Sequence, residues 1–340
     1  MSSNMQTPEI ETPPLAAERS FSLADRALAH LAIARLDHST KNIFVLPGIV
    51  VAYSAIGGGM QLSVALWRIA VGFVACTLIA CSNYVLNEVL DAPYDRHHPA
   101  KRSRPAANGR VHIPLAYAQW LLMMIAGLLL GFLVSPAFAA VCAGLWVMGC
   151  IYNIPPVRTK DVPYLDVLSE SINNPLRMLM GWYMITEAVV PPVSLLIAYW
   201  MIGAFFMALK RFSEYREIGN HVLAGEYRRS FRHYSEQSLL VSVTFYASAA
   251  MLFFGAFIAR YHLELVLSFP FVALTMAVYF LLSFEKNSPV QHPEYLYREP
   301  RLMVPVVISA VALTVLLFIN IPQLPRFFSQ STFAARTMGR

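Results

Sequence analysis

Long apolar stretches, separated by short polar connections, set the pattern of this chain. They cover residues 43–60, 64–90, 113–134, 136–152, 163–188, 191–209, 237–258, 263–283 and 303–321. A helix needs about 20 mostly apolar residues to cross a bilayer, so the pattern predicts about nine transmembrane helices. Polar residues interrupt the fourth and fifth stretches. We therefore expect an all-α integral membrane protein.

The polar residues at the two ends predict a simple domain organisation. We expect a cytoplasmic N-terminal tail over 1–40, a single transmembrane catalytic domain over 41–325 and a C-terminal tail over 326–340. Most of the 26 Lys and Arg residues fall in the N-terminal tail and in the loops 91–112, 153–162, 210–236 and 284–302. Cytoplasmic loops carry such an excess. The N-terminus and these loops should therefore be cytoplasmic.

Composition excludes the soluble enzyme classes. Hydrophobic residues make up 57% of the chain and charged residues only 14%, whereas water-soluble domains carry roughly a quarter charged residues. The net charge of +6 is explained by a basic cytoplasmic rim that faces anionic lipid headgroups, and it could also serve an anionic substrate. We expect membrane lipids as partners and no nucleic acid.

The end of the second apolar stretch carries the first candidate chemistry. Asn83, Asn87, Asp91 and Asp95 are spaced four apart, and Glu88 lies three before Asp91. This spacing places oxygen-bearing side chains on one face of a helix, where like charges repel. Such a face needs a cation, and oxygen ligands favour Mg²⁺. The predicted metal ligands are Asn87, Glu88, Asp91 and Asp95; the alternative is a helix end that turns polar as it leaves the membrane.

A dense cationic loop follows directly and contains Lys101, Arg102 and Arg104. A metal site beside an anion site suits a metal-bound diphosphate or phosphate group. The alternative is a basic loop that only sets the topology. A metal site at His97 and His98 is a weaker possibility.

Residues 83–109 resemble the first signature of the UbiA superfamily of intramembrane prenyltransferases, N-x-x-x-N-D-x-x-D-x-x-x-D. Glu88 stands where the family usually has Asp. A second stretch, Tyr152-Asn153-Ile-Pro155-Pro156-Val-Arg158-Thr-Lys160, is similar to the family's Y-S-x-P-P-x-R-x-K. The resemblance covers roughly residues 40–320. It implies nine helices around a central cavity that opens near the cytoplasmic face, with Asn83, Tyr152, Arg158 and Lys160 in substrate binding. Arg158 and Lys160 could equally be ordinary interfacial cations.

A third cluster, Lys210-Arg211-Phe-Ser-Glu214-Tyr-Arg216-Glu217, ends the sixth apolar stretch. Lys210, Glu214 and Glu217 fall on one helical face, which could also be a solvated face with an ion pair. Family members that transfer a prenyl group usually carry a second Asp-rich motif here. With Lys41-Asn42 before the first helix and the H-P-x-K-R-x-R-P loop, the pattern resembles the decaprenyl-phosphate phosphoribosyltransferase branch. Those enzymes join a polyprenyl phosphate to phosphoribosyl diphosphate.

A further polar set lies inside the fifth stretch, at Asp166, Glu170, Asn173, Asn174 and Arg177. Charged residues at membrane depth are costly and normally face the bundle interior or a cavity. Arg177 could pair with Glu170 or Asn173, or it could hold a substrate phosphate.

The resemblance implies a Mg²⁺-dependent transferase that joins a polyprenyl phosphate, or another isoprenoid lipid, to a phosphorylated sugar and releases diphosphate. Asp91, Asp95 and Lys210 are the predicted catalytic residues. The predicted substrate-binding residues are Asn83, Lys41, Lys101, Arg102, Arg104, Tyr152, Arg158, Lys160, Arg177, Arg211, Glu214 and Glu217. The alternative in the same superfamily is a prenyltransferase with an allylic diphosphate donor and an aromatic or lipid acceptor. A transporter would place its ligands near the midplane, whereas these clusters sit at one membrane face.

Overall fold

The computed structural model describes residues 21–57, 59–96 and 101–329, and within these ranges it contains helices and no β-strand. Most of both predicted tails and the pair His97-His98 therefore lie outside the described residues. The α-helices are α1 Leu23–Ile33, α2 Leu46–Ala55, α3 Leu62–Asp95, α4 Ile113–Val134, α5 Pro136–Asn153, α6 Leu165–Ser171, α7 Asn173–Ile185, α8 Val193–Ile218, α9 His221–Tyr227, α10 Glu236–Tyr261, α11 Phe269–Leu282, α12 Pro300–Leu316 and α13 Gln323–Ser329. Short 3₁₀ segments connect several of them, at Leu36–Val45, Thr159–Asp161, Arg229–His233, Leu263–Ser268, Pro289–Gln291 and Pro293–Arg298.

Six of the described helical segments are long and apolar enough to cross a membrane. They are α3, α4, α5, α8, α10 and the segment Leu263–Leu282 that ends in α11. The all-α integral membrane class is thereby confirmed, and the count of nine crossings stays a prediction.

The other three predicted stretches also contain helices, but shorter ones. The stretch 43–60 holds the ten residues of α2, and 303–321 holds most of α12, which has 17 residues. The stretch 163–188 is divided into α6 and α7. Pro175 follows this division, and it lacks the N–H that would continue the hydrogen-bond ladder back to Ser171.

Close backbone contact joins two of the shorter helices. A Cβ atom on Gly48 of α2 would collide with the carbonyl oxygen of Met178, and one on Gly181 of α7 would collide with that of Val45. Small residues permit this approach in membrane bundles, where helices associate mainly through packing. The two glycines therefore hold α2 against α7.

The length of α3 explains how its polar residues reach the membrane boundary. Its 34 residues correspond to about 51 Å at 1.5 Å per residue, against a hydrocarbon core of about 30 Å. The final turns, which carry Asn87 to Asp95, extend past the apolar part. Side-chain contacts join this end of α3 to the end of α5, and Glu170 of α6 in turn joins α5 to Arg211 of α8. We call the region where α3, α5 and α8 end the polar end of the bundle.

Candidate active site

The last turns of α3 meet the loop that follows α5. The Asp91 carboxylate accepts hydrogen bonds from Lys160 Nζ at 2.6 Å and from Arg158 at 2.9 Å. Asn153, the last residue of α5, accepts from Lys160 Nζ at 2.8 Å and from Asn87 Nδ2 at 2.6 Å. We call these five residues the Asp91 cluster. One carboxylate here faces two cations from a single loop.

The remaining acids of α3 face a different direction. Asp95 accepts from Arg104 at 2.6 Å. Glu88, which is 2% exposed, accepts from Arg35 Nε and Nη2 at 3.3 and 3.2 Å and from the Ala106 N–H at 3.4 Å. The four predicted metal ligands therefore fall into two sets. Asn87 and Asp91 contact the end of α5 and the loop that follows it, whereas Glu88 and Asp95 hold the segment 101–107 in place.

Unusual backbone conformations accompany two of these cations. Arg35 has φ of +50° and Arg158 has φ of +27°. Positive φ is uncommon for residues other than glycine and costs of order 1–3 kcal/mol, so it persists where surrounding contacts hold it. The ion pairs of Arg35 with Glu88 and of Arg158 with Asp91 are such contacts.

A second buried network surrounds Arg211 of α8. Arg211 is 1% exposed and donates to Asp166 at 3.2 Å, to Glu170 at 2.7 Å and to Glu214 at 3.4 Å. Tyr152 of α5 donates its hydroxyl to the same Glu170 oxygen at 3.0 Å. We call Asp166, Glu170, Arg211 and Glu214 the Arg211 cluster. The cluster joins α6 and α8 at the polar end, and the hydrogen-bond donors of Arg211 are occupied by its own carboxylates.

Asp166 also anchors the segment 228–234. Its side chain is fully buried and accepts from the hydroxyls of Tyr234 at 2.7 Å and Ser230 at 3.1 Å, with Arg228 at 3.8 Å. A buried carboxylate with this many donors is fully paired. Asp166 therefore fixes the position of this segment over the polar end.

Further cations line the same region. Lys101 lies over the Tyr227 ring at 5.0 Å, and burial together with the charges of Arg228 and Arg104 lowers the pKa of Lys101 to about 8. Burial also lowers the pKa of Lys160, although the Asp91 carboxylate acts in the opposite direction.

Two lysines predicted from the sequence lie beside the Arg211 cluster. Lys210 is 3.9 Å from Glu214, and Lys41 lies over the Tyr84 ring at 5.8 Å. Both are close enough to Glu170 for their charges to act on it. Lysine and arginine residues that are far apart in sequence therefore lie around both the acids at the end of α3 and the carboxylates of the Arg211 cluster.

Some predicted site residues lie apart from these clusters. Glu217 is exposed and accepts from the backbone N–H of Asn287 at 3.3 Å, so it does not join Lys210 and Glu214. Arg102 is exposed. Asn83 donates to the Leu145 carbonyl at 2.9 Å and packs against Gly149, farther from the end of α3. Arg177 lies deeper along α7 and is 7% exposed.

No group of three or more His, Cys, Asp or Glu residues is placed to hold a metal ion within the described parts of the chain. The predicted carboxylate ligands are each paired with a cation of their own instead. Oxygen donors that suit Mg²⁺ do lie together in the Asp91 cluster, from Asn87, Asp91 and Asn153.

Sequence reasoning missed several contributors to these clusters. Nothing in the sequence except its charge indicates a role for Arg35, because its partner Glu88 is 53 positions away. Asn153 lay within a quoted motif as a substitution for Ser. Asp166 and Glu170 were identified as a polar set, but nothing in their spacing indicated Arg211 as their partner. No motif or spacing in the sequence indicates that Ser230 contacts Asp166.

The fold and the polar end together place the chain in a class of helical membrane proteins with a charged site at one membrane face, and comparison with known proteins identifies the family. A model of the UbiA prenyltransferase family matches residues 44–296. The chain therefore belongs to the UbiA prenyltransferase family. This membership confirms the family recognised from the sequence and the prediction of a transferase.

Two curated relatives illustrate the range of this family. A decaprenyl-phosphate phosphoribosyltransferase of Mycolicibacterium smegmatis is 28% identical over 218 residues, which is 63% of this chain and 65% of that relative. The match thus spans slightly less than two thirds of the relative's length. A lycopene elongase/hydratase of Haloarcula japonica is 31% identical over 121 residues, 35% of this chain and 39% of that protein.

A solved structure supports the fold. A UbiA homologue from Archaeoglobus fulgidus bound to GPP and Mg²⁺ superposes with a TM-score of 0.60 over 85% of this chain and 98% of that chain, at 17% identity. At this identity the likeness concerns the fold alone.

Proposed function

We propose that this protein joins a polyprenyl phosphate to phosphoribosyl diphosphate within the membrane, in a Mg²⁺-dependent reaction that releases diphosphate. The observation that carries the proposal is the Asp91 cluster, where the acidic end of α3 meets Lys160 and Arg158. A diphosphate substrate requires carboxylates that bind its metal ion and, beside them, cations that bind its phosphate oxygens. The name of the mycobacterial relative supports the choice of substrates.

The oxygen atoms of side chains at the end of α3 are the candidate ligands for a metal ion. Asn87 and Asp91 carry the oxygen donors that Mg²⁺ prefers and would hold the ion, and Asp95 would join them on leaving Arg104. Glu88 fits this set less well, because its carboxylate faces Arg35 and the Ala106 N–H; we assign it to positioning these two segments. Bound Mg²⁺ would neutralise charge on the departing diphosphate.

The cations of the polar end would bind the anionic groups of the substrates. Lys101, Arg102, Arg104 and Lys210 supply contacts to the diphosphate, and Lys41, Arg158 and Lys160 extend this surround. The phosphate oxygen of the lipid attacks the anomeric carbon of the ribose, and the bond from that carbon to the diphosphate oxygen breaks. The nucleophile is already ionised at neutral pH, so no general base is needed. Catalysis rests on positioning and electrostatic stabilisation.

The Arg211 cluster gives a positioning role to residues that the sequence placed in substrate binding. Arg211 already pairs with three carboxylates. We propose that Arg211 and Glu214 hold α6, α8 and Lys210 in their relative positions, and that Tyr152 does the same for α5 through Glu170.

We further propose the topology that the sequence predicted. Nine crossings enclose the apolar cavity for the isoprenoid tail, and the polar end faces the cytoplasm of a bacterial cell. The catalytic domain would cover 41–325, between two short tails.

Prenyl transfer from an allylic diphosphate is the second candidate. It is favoured by the gathering of Asp166, Glu170 and Glu214 around Arg211 as a second group of carboxylates, since two such groups suit a metal-bound diphosphate. Against it, these three carboxylates already pair with Arg211, and Asp166 and Glu214 also pair with Arg228 and Lys210. We therefore rank it second.

A transfer assay with purified protein in detergent separates the two candidates. Radiolabelled phosphoribosyl diphosphate, polyprenyl phosphate and Mg²⁺ are supplied, and label is measured in the organic extract. We expect transfer that is lost with EDTA and in Asp91→Ala, while membrane insertion is unchanged. An active, well-folded Asp91→Ala protein would refute the metal assignment. Absence of transfer together with consumption of an allylic diphosphate and an aromatic acid would establish prenyl transfer instead.

A further inference from the structure

Arg177 is a buried cation for which the described part of the chain offers no hydrogen-bonding or ionic partner. It is 7% exposed, and its Nε atom is buried without a partner. Arginine stays protonated in proteins and has no acceptor of its own. An unpaired charge inside a bundle is strongly unfavourable. An anion beside Arg177 would therefore stabilise it.

The surroundings of Arg177 are polar but not acidic. Its charge acts on Cys76 of α3 and on Tyr199 of α8. Cys76 donates to Asn42, and Tyr199 donates to the Phe44 carbonyl at 3.3 Å. Neutral groups of this kind accommodate a polar ligand and leave the charge of Arg177 uncompensated.

One helical turn before Arg177, a second polar group also lacks a partner. The Oδ1 atom of Asn173 is buried with no hydrogen-bond partner. Residues four apart lie on one helix face, so Asn173 and Arg177 face the same region. The unpaired Asn173 atom is an acceptor and calls for a donor such as water, whereas an anion on this face would be bound by the guanidinium of Arg177.

The position of Arg177 along the helix distinguishes it from the cations at the polar end. Glu170 marks that end through its contact with Arg211. The charge of Arg177 acts on Tyr199, which lies 12 residues before Arg211 on the single helix α8, so at 1.5 Å per residue this region is roughly 18 Å from Arg211 along the bundle. An anionic group with an apolar tail reaches this depth with the tail still in an apolar environment, whereas a water-soluble anion loses all of its hydration there.

We propose that Arg177 binds the phosphate of an isoprenoid lipid inside the bundle, at a holding position from which the lipid moves to the diphosphate at the polar end. The proposal rests on the proposed function for the identity of the lipid, and it assigns each of the two anionic substrates its own cation. Lipid phosphate and free phosphate share the same recognition chemistry, so the test must distinguish them.

The test measures ligand binding to the full chain in nanodiscs. The probes are farnesyl phosphate, phosphoribosyl diphosphate and inorganic phosphate. The variants are Arg177→Met and Arg177→Lys, with Arg216→Met as a matched control, because Arg216 is exposed on α8. Loss of a charged hydrogen-bond donor should weaken farnesyl phosphate binding by about tenfold to a hundredfold in Arg177→Met, and less in Arg177→Lys. Phosphoribosyl diphosphate binding should stay within about twofold of the wild type, because its proposed contacts lie at the polar end.

Stability without ligand provides a second readout. Replacement of an unpaired buried charge by methionine should leave the midpoint of thermal unfolding unchanged or raise it. A structural arginine would give the opposite result. A clear loss of stability, or failure of Arg177→Met to fold, would overturn the proposal.

The remaining outcomes are also decisive. Weaker phosphoribosyl diphosphate binding in Arg177→Met, or undiminished farnesyl phosphate binding, would overturn the proposal, as would a wild type that does not bind farnesyl phosphate. Inorganic phosphate that binds through Arg177 as tightly as farnesyl phosphate would assign the position to a free anion. Farnesyl phosphate binding through Arg177 without transfer of ribosyl label would refute the proposed function and leave this inference standing.

Discussion

Replacement of Arg211 by methionine tests whether the buried network holds the polar end together. Methionine retains an apolar chain of similar length but removes the donors that reach Asp166, Glu170 and Glu214. Removal of one partner of a buried ion pair typically costs 3–5 kcal/mol, because the opposite charge stays buried. Other donors remain for these carboxylates, including Tyr152 on Glu170 and Tyr234 on Asp166.

We therefore expect the lower part of that range, about 3 kcal/mol, or roughly a hundredfold lower ratio of folded to unfolded protein. The assay is SDS-induced unfolding in mixed micelles, followed by far-UV circular dichroism. Arg216→Met, about one helical turn farther on, is the control. Arg216 is exposed and lies 5.1 Å from the Phe284 ring, so its loss should cost under about 1 kcal/mol. An Arg211→Met protein as stable as this control would refute the argument.

Two further predictions concern the polar end and the helix contacts. Burial and the charges of Arg228 and Arg104 lower the pKa of Lys101 to about 8, although the charges of Asp95 and Glu214 act in the opposite direction. Lys101 therefore loses its positive charge as pH rises through about 8. Because this charge is proposed to bind the anionic substrate, kcat/KM should fall over the same pH range. Lys101→Arg keeps its charge, so its pH profile should stay flat over this range, and a fall identical to that of the wild type would assign the titration to another group. Gly181→Ala should strongly destabilise the α2–α7 contact, because its Cβ atom would collide with the Val45 carbonyl. Gly57→Ala is the control: its Cβ atom meets no neighbouring atom, and it should cost only about 1–2 kcal/mol from its positive φ. Thermal unfolding in detergent compares the two variants, and equal losses of stability would contradict the packing argument.

The chain pattern alone determined the class of this protein. Apolar stretches near bilayer length specify membrane helices whatever their partners, since backbone groups in lipid must be satisfied within the helix. The four-residue spacing of Asn83, Asn87, Asp91 and Asp95 depends only on helix geometry, which is why the polar side of α3 could be predicted. The motif residues in turn indicated the family that the comparison confirmed.

The partners of those residues were decided by tertiary structure. Arg35 pairs with Glu88, and Lys160 with Asp91, across separations of 53 and 69 positions that leave no local periodicity to detect. Helical spacing also grouped Glu217 with Lys210, whereas the fold turns Glu217 toward Asn287.

Arg177 shows the same division. The sequence placed a charge at membrane depth but left open whether Glu170 was its partner. In the fold, Glu170 pairs with Arg211, and Arg177 has no ionic partner among the described residues. Helix geometry is local and can be read from spacing, whereas the pairing of buried charges depends on which helix ends meet in three dimensions.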